Sequence, residues 1–138
     1  MSNNSIFVEK LRSSGLRPTR QRLQICRLLF DRQSTFHFSI QDLSKMIVNQ
    51  HKEKVSLATV YNTINAFKQK GYLKEISINS DKTYFDTNTS NHHHFFNEST
   101  NELIDLDNSE VGKIDIRKKI PGKKINSIEV IVKIANSN

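Results

Sequence analysis

Three consecutive histidines, His92, His93 and His94, are the residues of this 138-residue chain best suited to do chemistry. On an extended strand alternate side chains share a face, so His92 and His94 present two imidazoles to one ion. Asp86 precedes the triplet, and Asp105 follows it on what reads as the neighbouring strand. Two imidazoles with carboxylates are borderline donors that suit ferrous iron, manganese or zinc, and residue types alone do not choose among them. The competing reading is a polar loop with three exposed histidines. His51, beside Lys52 and Lys54, has no such company and reads as a solvated helix-end residue.

The elements that must carry these groups are strands. Residues 93–97 and 102–107 alternate well enough for two, residues 109–120 read as a helix broken by Pro121-Gly122, and 125–134 reads as a closing strand with Ile128, Val130, Val132 and Ile134 on one face. Ahead of them, the polar run Thr87-Asn88-Thr89-Ser90-Asn91 is the expected linker. It separates a domain at 1–86 from a smaller one at 92–138. So few strands make a marginal core alone, and pairing with a second copy would complete it and cover its edges.

The first domain reads as four helices and a hairpin. Residues 6–14 form a short helix closed by Gly15, and Thr19 caps a helix over 20–33 that buries Leu23, Cys26, Leu29 and Phe30. Residues 34–38 read as a loop; Ser39 then starts a helix, with Asp42 completing a capping box. In the next helix, capped by Ser56 and stopped by Gly71, the residues Leu57, Val60, Tyr61, Ile64 and Phe67 recur at helical spacing. Its other face carries Ser56, Thr59, Asn62, Thr63, Asn65 and Gln69, short neutral groups of the kind that read base edges in a major groove. The bland alternative is an ordinary polar helix face. Strands at 72–78 and 82–86 around Asn79-Ser80-Asp81 complete a winged helix-turn-helix. The fold class expected is therefore α+β, a winged helix followed by a small α/β domain.

Charge supports a polyanionic partner. Residues 1–80 hold 13 Lys/Arg against 5 Asp/Glu, and residues 81–138 hold 8 against 9, so the basic excess lies with the helices. The single cysteine, Cys26, excludes a disulfide framework and a cysteine-rich zinc site, and its place in an apolar set makes it a core residue. No long apolar run or signal-peptide pattern occurs, so a soluble, cytoplasmic protein without membrane contact is expected.

Gly15-Leu16-Arg17-Pro18-Thr19-Arg20-Gln21-Arg22, His37-x-Ser39, Val55 to Tyr61 and the histidine triplet together resemble the ferric uptake regulator (Fur) family, from about residue 8 to residue 106. The resemblance implies a homodimeric transcription regulator of iron or other metal homeostasis. It would bind AT-rich inverted repeats in double-stranded DNA, with Tyr61 matching a base-contacting tyrosine and Arg17 a basic residue of the minor groove, beside Ser56, Thr59 and Asn62 already read from the polar helix face. The matching metal positions are His37, Asp86, His92, His94 and Asp105, with Fe2+ or Mn2+, or Zn2+, as the ion. The family's two Cys-x-x-Cys pairs, which hold a structural zinc, are absent. A histidine run without them looks most like the iron response regulator (Irr) branch, which senses haem, and this makes His92, His93 and His94 haem candidates. A manganese- or peroxide-responsive regulator of the same family is the alternative. Two other classes fit the residues less well. A two-histidine, one-carboxylate iron oxygenase would need a larger barrel than the second half can build, and a winged helix that binds RNA or protein would use the same first half differently.

Overall fold

The computed structural model describes residues 3–138, which divide into two compact units, one ending at Thr89 and the other beginning at Ser90. The first unit holds helices α1 (Asn3–Ser13), α2 (Arg20–Phe30), α3 (Ile40–His51) and α4 (Leu57–Lys70), with strands β1 (His37–Phe38), β2 (Lys74–Asn79) and β3 (Lys82–Asp86). Caps fix the helix limits. Thr19 accepts from the Arg22 N–H at 3.3 Å, Ser39 and Asp42 form a reciprocal capping box, and Ser56 accepts from the Thr59 N–H at 3.2 Å. Gly71 ends α4 at φ 91°, a left-handed conformation that glycine adopts without strain. Helix α2 stops three residues short of the expected limit. Asp31 already caps it, and Arg32 to Thr35 offer no apolar group to bury.

These helices bury Leu11, Ile25, Leu29, Leu43, Ile64 and Phe67 in one core, and the wing contributes Phe85. Cys26 lies within that core, fully buried, and desolvation pushes its thiol up to about 12. A buried thiol that stays protonated is a poor nucleophile. Native protein should therefore resist a thiol reagent near neutral pH and react fully once unfolded in denaturant. Modification of native protein at the rate of a small thiol would contradict this placement.

The expected loop at 34–38 is a correction. His37 and Phe38 form a two-residue edge strand in a sheet of order β1-β3-β2, with His37 opposite Asp86 and Phe38 opposite Phe85. The pairing is extended by Phe36, whose N–H donates to Thr87 Oγ1 at 3.0 Å and whose carbonyl accepts from the Thr87 N–H at 3.1 Å. Stacking of Phe38 on Phe36 and Phe85, with centroids 5.3 and 5.9 Å apart, holds the strand despite its length.

The second unit is a sheet of order β5-β4-β6, with β4 at His93–Asn97, β5 at Glu102–Leu106 and β6 at Ile131–Ile134. Strands β4 and β5 are antiparallel, whereas β6 runs parallel to β4. Phe96, Leu103 and Leu106 are its buried apolar residues. The helix expected over 109–120 is not formed. Only a 3-10 turn at Asn108–Glu110 appears, capped by Asp107, and residues 112–120 are without regular structure. The sequence explains this: Gly112 and the β-branched Val111, Ile114, Ile116 and Ile120 disfavour a helix, and their spacing gives no single apolar face. The last strand is also shorter than 125–134, and Val132, expected inside, is exposed. No helix among the described residues is long and apolar enough to cross a membrane.

Candidate metal centre and nucleic-acid face

The first unit brings together two of the expected ligands. His37 and Asp86 are direct cross-strand partners on β1 and β3, so their side chains leave the same face of the sheet. Asp86 is buried, at 1% exposure, and one of its oxygens accepts from the Asn88 N–H at 2.8 Å. Lys74 faces Asp86 from the other neighbouring strand. A carboxylate so withdrawn from water needs a cationic partner, and a metal ion is one such partner.

The second unit assembles the other three. His94 and Asp105 are cross-strand partners on β4 and β5. The Nε2 atoms of His92 and His94 lie 3.3 and 3.4 Å from the same oxygen, Asp105 Oδ1, and the two rings are 4.5 Å apart. His92 Nδ1 is 2.8 Å from the Ser90 carbonyl, which can only accept, so this nitrogen carries the proton and donates. The lone pair of a neutral His92 then sits at Nε2, facing a carboxylate oxygen. Such a contact is repulsive until a cation, a proton or a metal ion, lies between them. Two imidazole nitrogens and a carboxylate oxygen converging on one point fit Fe2+, Mn2+ or Zn2+ on donor chemistry.

His93 has a different task. It is buried, and its Nδ1 accepts from the Val130 N–H at 3.0 Å, while the Val130 carbonyl accepts from the His94 N–H at 3.1 Å. It therefore fastens the start of β6 to β4.

The expected DNA-reading residues lie on α4 and on the turn before α2. Ser56, Tyr61 and Asn62 are exposed, Thr59 is half-buried and hydrogen-bonded to Ser56, and Arg17 is exposed. Two assignments to faces of α4 are corrected. Leu57 and Tyr61, placed on the apolar inner face by spacing, point outward at 54% and 42% exposure. Thr63, placed on the outer face, is fully buried, and its hydroxyl donates to the Thr59 carbonyl at 2.7 Å. Leu57 is thus an outward apolar residue that periodicity assigned to the core. Its place one turn before Tyr61 was the signal for an outer apolar pair. Lys68 is tied to Glu75 of the wing at 2.8 Å, which fixes α4 against the hairpin.

Residues 13–133 match the model of the ferric uptake regulator family. A curated relative, the peroxide-responsive repressor PerR of Staphylococcus aureus, is 32% identical over 108 residues, covering 78% of this chain and 71% of that protein. Among solved structures, the ferric uptake regulator of Vibrio cholerae superposes with a TM-score of 0.71 at 20% identity, over 98% of this chain and 100% of that one. The ferric uptake regulator of Pseudomonas aeruginosa, solved with manganese, gives 0.69 at 23% identity, over 96% and 99%. These structural likenesses carry the fold, and the family match carries the kinship. The chain belongs to the ferric uptake regulator family, a family of transcription regulators.

Proposed function

We propose that the protein is a homodimeric, metal-dependent regulator that binds inverted-repeat operators through α4. The observation that carries the reading is the pair of ligand sets, His37 with Asp86 in one unit and His92 and His94 with Asp105 in the other. Sharing one divalent ion between the two sets would tie a DNA-binding unit to a dimerising unit. Loading would then shift the population toward one arrangement of the two reading helices. The ion supplies charge and coordination only; Asp86 and Asp105 offset its charge, and the Ser90 carbonyl holds His92 in the ligating tautomer. The linker proposed at 87–91 is the place where the two arrangements would differ.

Fluorescence anisotropy with an AT-rich inverted repeat tests this, using the full chain with Mn2+ and again with chelator. Tight, operator-selective binding that the chelator alters is the expected result; equal binding in both conditions would remove the metal from the function. In the same assay Tyr61→Ala should cost about 1–3 kcal/mol and relax sequence preference, because the exposed ring is free to pack against thymine methyls. Arg17→Ala should instead weaken binding to all sequences and reduce the salt slope by roughly 0.9 for one phosphate contact. Unchanged specificity in the Tyr61 variant would take that residue out of base readout.

The kinship with PerR favours a peroxide-responsive form of the same device. Iron-loaded protein should then lose operator binding on exposure to peroxide while manganese-loaded protein keeps it, since ferrous iron reduces peroxide readily. Retention by both forms would leave metal homeostasis as the role. The haem reading at His92, His93 and His94, and the likeness to the Irr branch, draw no support from these relatives. His93 is already committed to Val130, and His92 and His94 to Asp105.

A further inference from the structure

The outward face of α4 is less polar than a face that reads bases by hydrogen bonds alone. Its exposed residues from the first turn onward are Leu57, Ala58, Tyr61, Asn62 and Asn65, one stripe along the helix. Two of the hydroxyls expected to read bases are turned on each other. Ser56 Oγ accepts from the Thr59 N–H at 3.2 Å and donates to Thr59 Oγ1 at 2.9 Å, so the Ser56 proton is committed to the cap. The largest group that the first turn offers to a groove is therefore the side chain of Leu57, the first residue of α4, 54% exposed. A single exposed leucine on a protein surface ordinarily needs no explanation. This one stands one turn before Tyr61, itself exposed, at a spacing that makes the two side chains neighbours on the helix surface. Cations stand close by in the chain, since Lys52 and Lys54, both exposed, just precede the helix. Apolar groups at the leading end of a helix, with cations beside them, have the composition of a surface that meets a duplex, phosphates at the rim and base edges within.

We infer that Leu57 is a specificity-determining residue that reads a 5-methyl group in the major groove, at a different base from the one met by Tyr61. The methyl of thymine is the apolar group that base pairs present in that groove. Leucine has no donor or acceptor, so hydrogen bonding gives it no preference among bases, and the methyl does. Side chains one turn apart have β-carbons about 5–6 Å apart. Successive bases of a strand rise by about 3.4 Å, so Leu57 and Tyr61 fall on different bases. Leu57 then senses the methyl and not the base that bears it. Uracil lacks the group, whereas 5-methylcytosine carries it at the same ring position, so a methylated cytosine is distinguished from an unmethylated one there. Leu57 acts as part of the operator-binding helix proposed above, on which this inference rests.

Fluorescence anisotropy with the full chain tests this, in whichever of the Mn2+ and chelator conditions binds the AT-rich inverted repeat more tightly. The thymines of each half-site are replaced in turn by deoxyuridine, which keeps every hydrogen bond of the base pair and removes only the methyl. Wild type, Leu57→Ala and Tyr61→Ala are compared. At one thymine, deoxyuridine should weaken wild-type binding by roughly three- to fivefold, the worth of one buried methyl, and leave Leu57→Ala unchanged. At a different thymine the penalty should vanish in Tyr61→Ala and persist in Leu57→Ala. With cytosine in place of the first thymine, adding the 5-methyl group should strengthen wild-type binding by a similar factor and do nothing for Leu57→Ala. Circular dichroism of Leu57→Ala should match wild type, since the side chain is exposed. A Leu57→Ala protein that keeps every wild-type deoxyuridine penalty, or that binds the repeat as tightly as wild type, would overturn the inference. So would a wild type indifferent to the methyl added to cytosine. A wild type that binds the repeat no better than unrelated duplex would instead sink the operator-binding reading beneath it.

Discussion

Phe67→Ala should destabilise the first unit by about 3–5 kcal/mol, the usual cost of emptying a fully buried phenyl site. The ring has no exposure and packs edge-on to Phe30 at 5.5 Å and Tyr72 at 6.1 Å. Tyr72 is in turn fixed by a 2.7 Å hydrogen bond to Ser13, and Lys10 lies over both the Phe30 and Tyr72 rings. One side chain thus locks α4 to α1 and α2, so its loss should also blur the position of the reading helix. In a unit of this size each kcal/mol moves Tm by roughly 4–8 °C, so a thermal scan reads the effect easily. Leu57→Ala on the same helix is the control. Its side chain is outward, so it should change stability by less than about 0.5 kcal/mol while lowering operator affinity. A Phe67 variant with wild-type Tm would mean that α4 is held by something else.

His94→Ala should weaken metal binding by more than roughly 100-fold, the upper range for loss of a mere outer-shell partner. Removing this imidazole deletes one of the two nitrogens that converge on Asp105 Oδ1. His93→Ala is the informative neighbour. Its imidazole faces β6, so the variant should leave metal affinity within a few-fold and lower the stability of the second unit through the lost Val130 hydrogen bond, by about 1 kcal/mol or somewhat more. Direct metal titration of both variants separates the two roles. Equal losses of affinity would contradict the assignment of alternate faces.

What the sequence made legible followed from local rules. Capping residues at Thr19, Ser39 and Ser56 and the glycine at Gly71 set helix limits that the fold reproduces within a residue or two. The histidine triplet on a strand with Asp105 opposite was likewise readable, because alternation on β4 is a property of two-residue periodicity. Two of the misses share a cause, which is that longer-range packing decided them. A strand as short as His37–Phe38 has no period of its own; the alternating Phe36 and Phe38 around His37 were the available hint, and the pairing with Phe85 and Asp86 makes it. Tyr61 and Leu57 fit an inward stripe by spacing, yet the core is filled by Val60, Thr63, Ile64 and Phe67, which leaves Leu57 and Tyr61 on the outside. The helix expected at 109–120 fails for a local reason, since Gly112 and the β-branched Val111, Ile114, Ile116 and Ile120 oppose it.

Whether ligands from both units serve one ion, as proposed, is tested most directly by calorimetric titration of the full chain with Mn2+. Wild type, His37→Ala and Asp105→Asn would be compared, one variant from each unit. A single binding event with one ion per chain, weakened in both variants, is the predicted result. Two independent events, with each variant losing only its own, would contradict the claim.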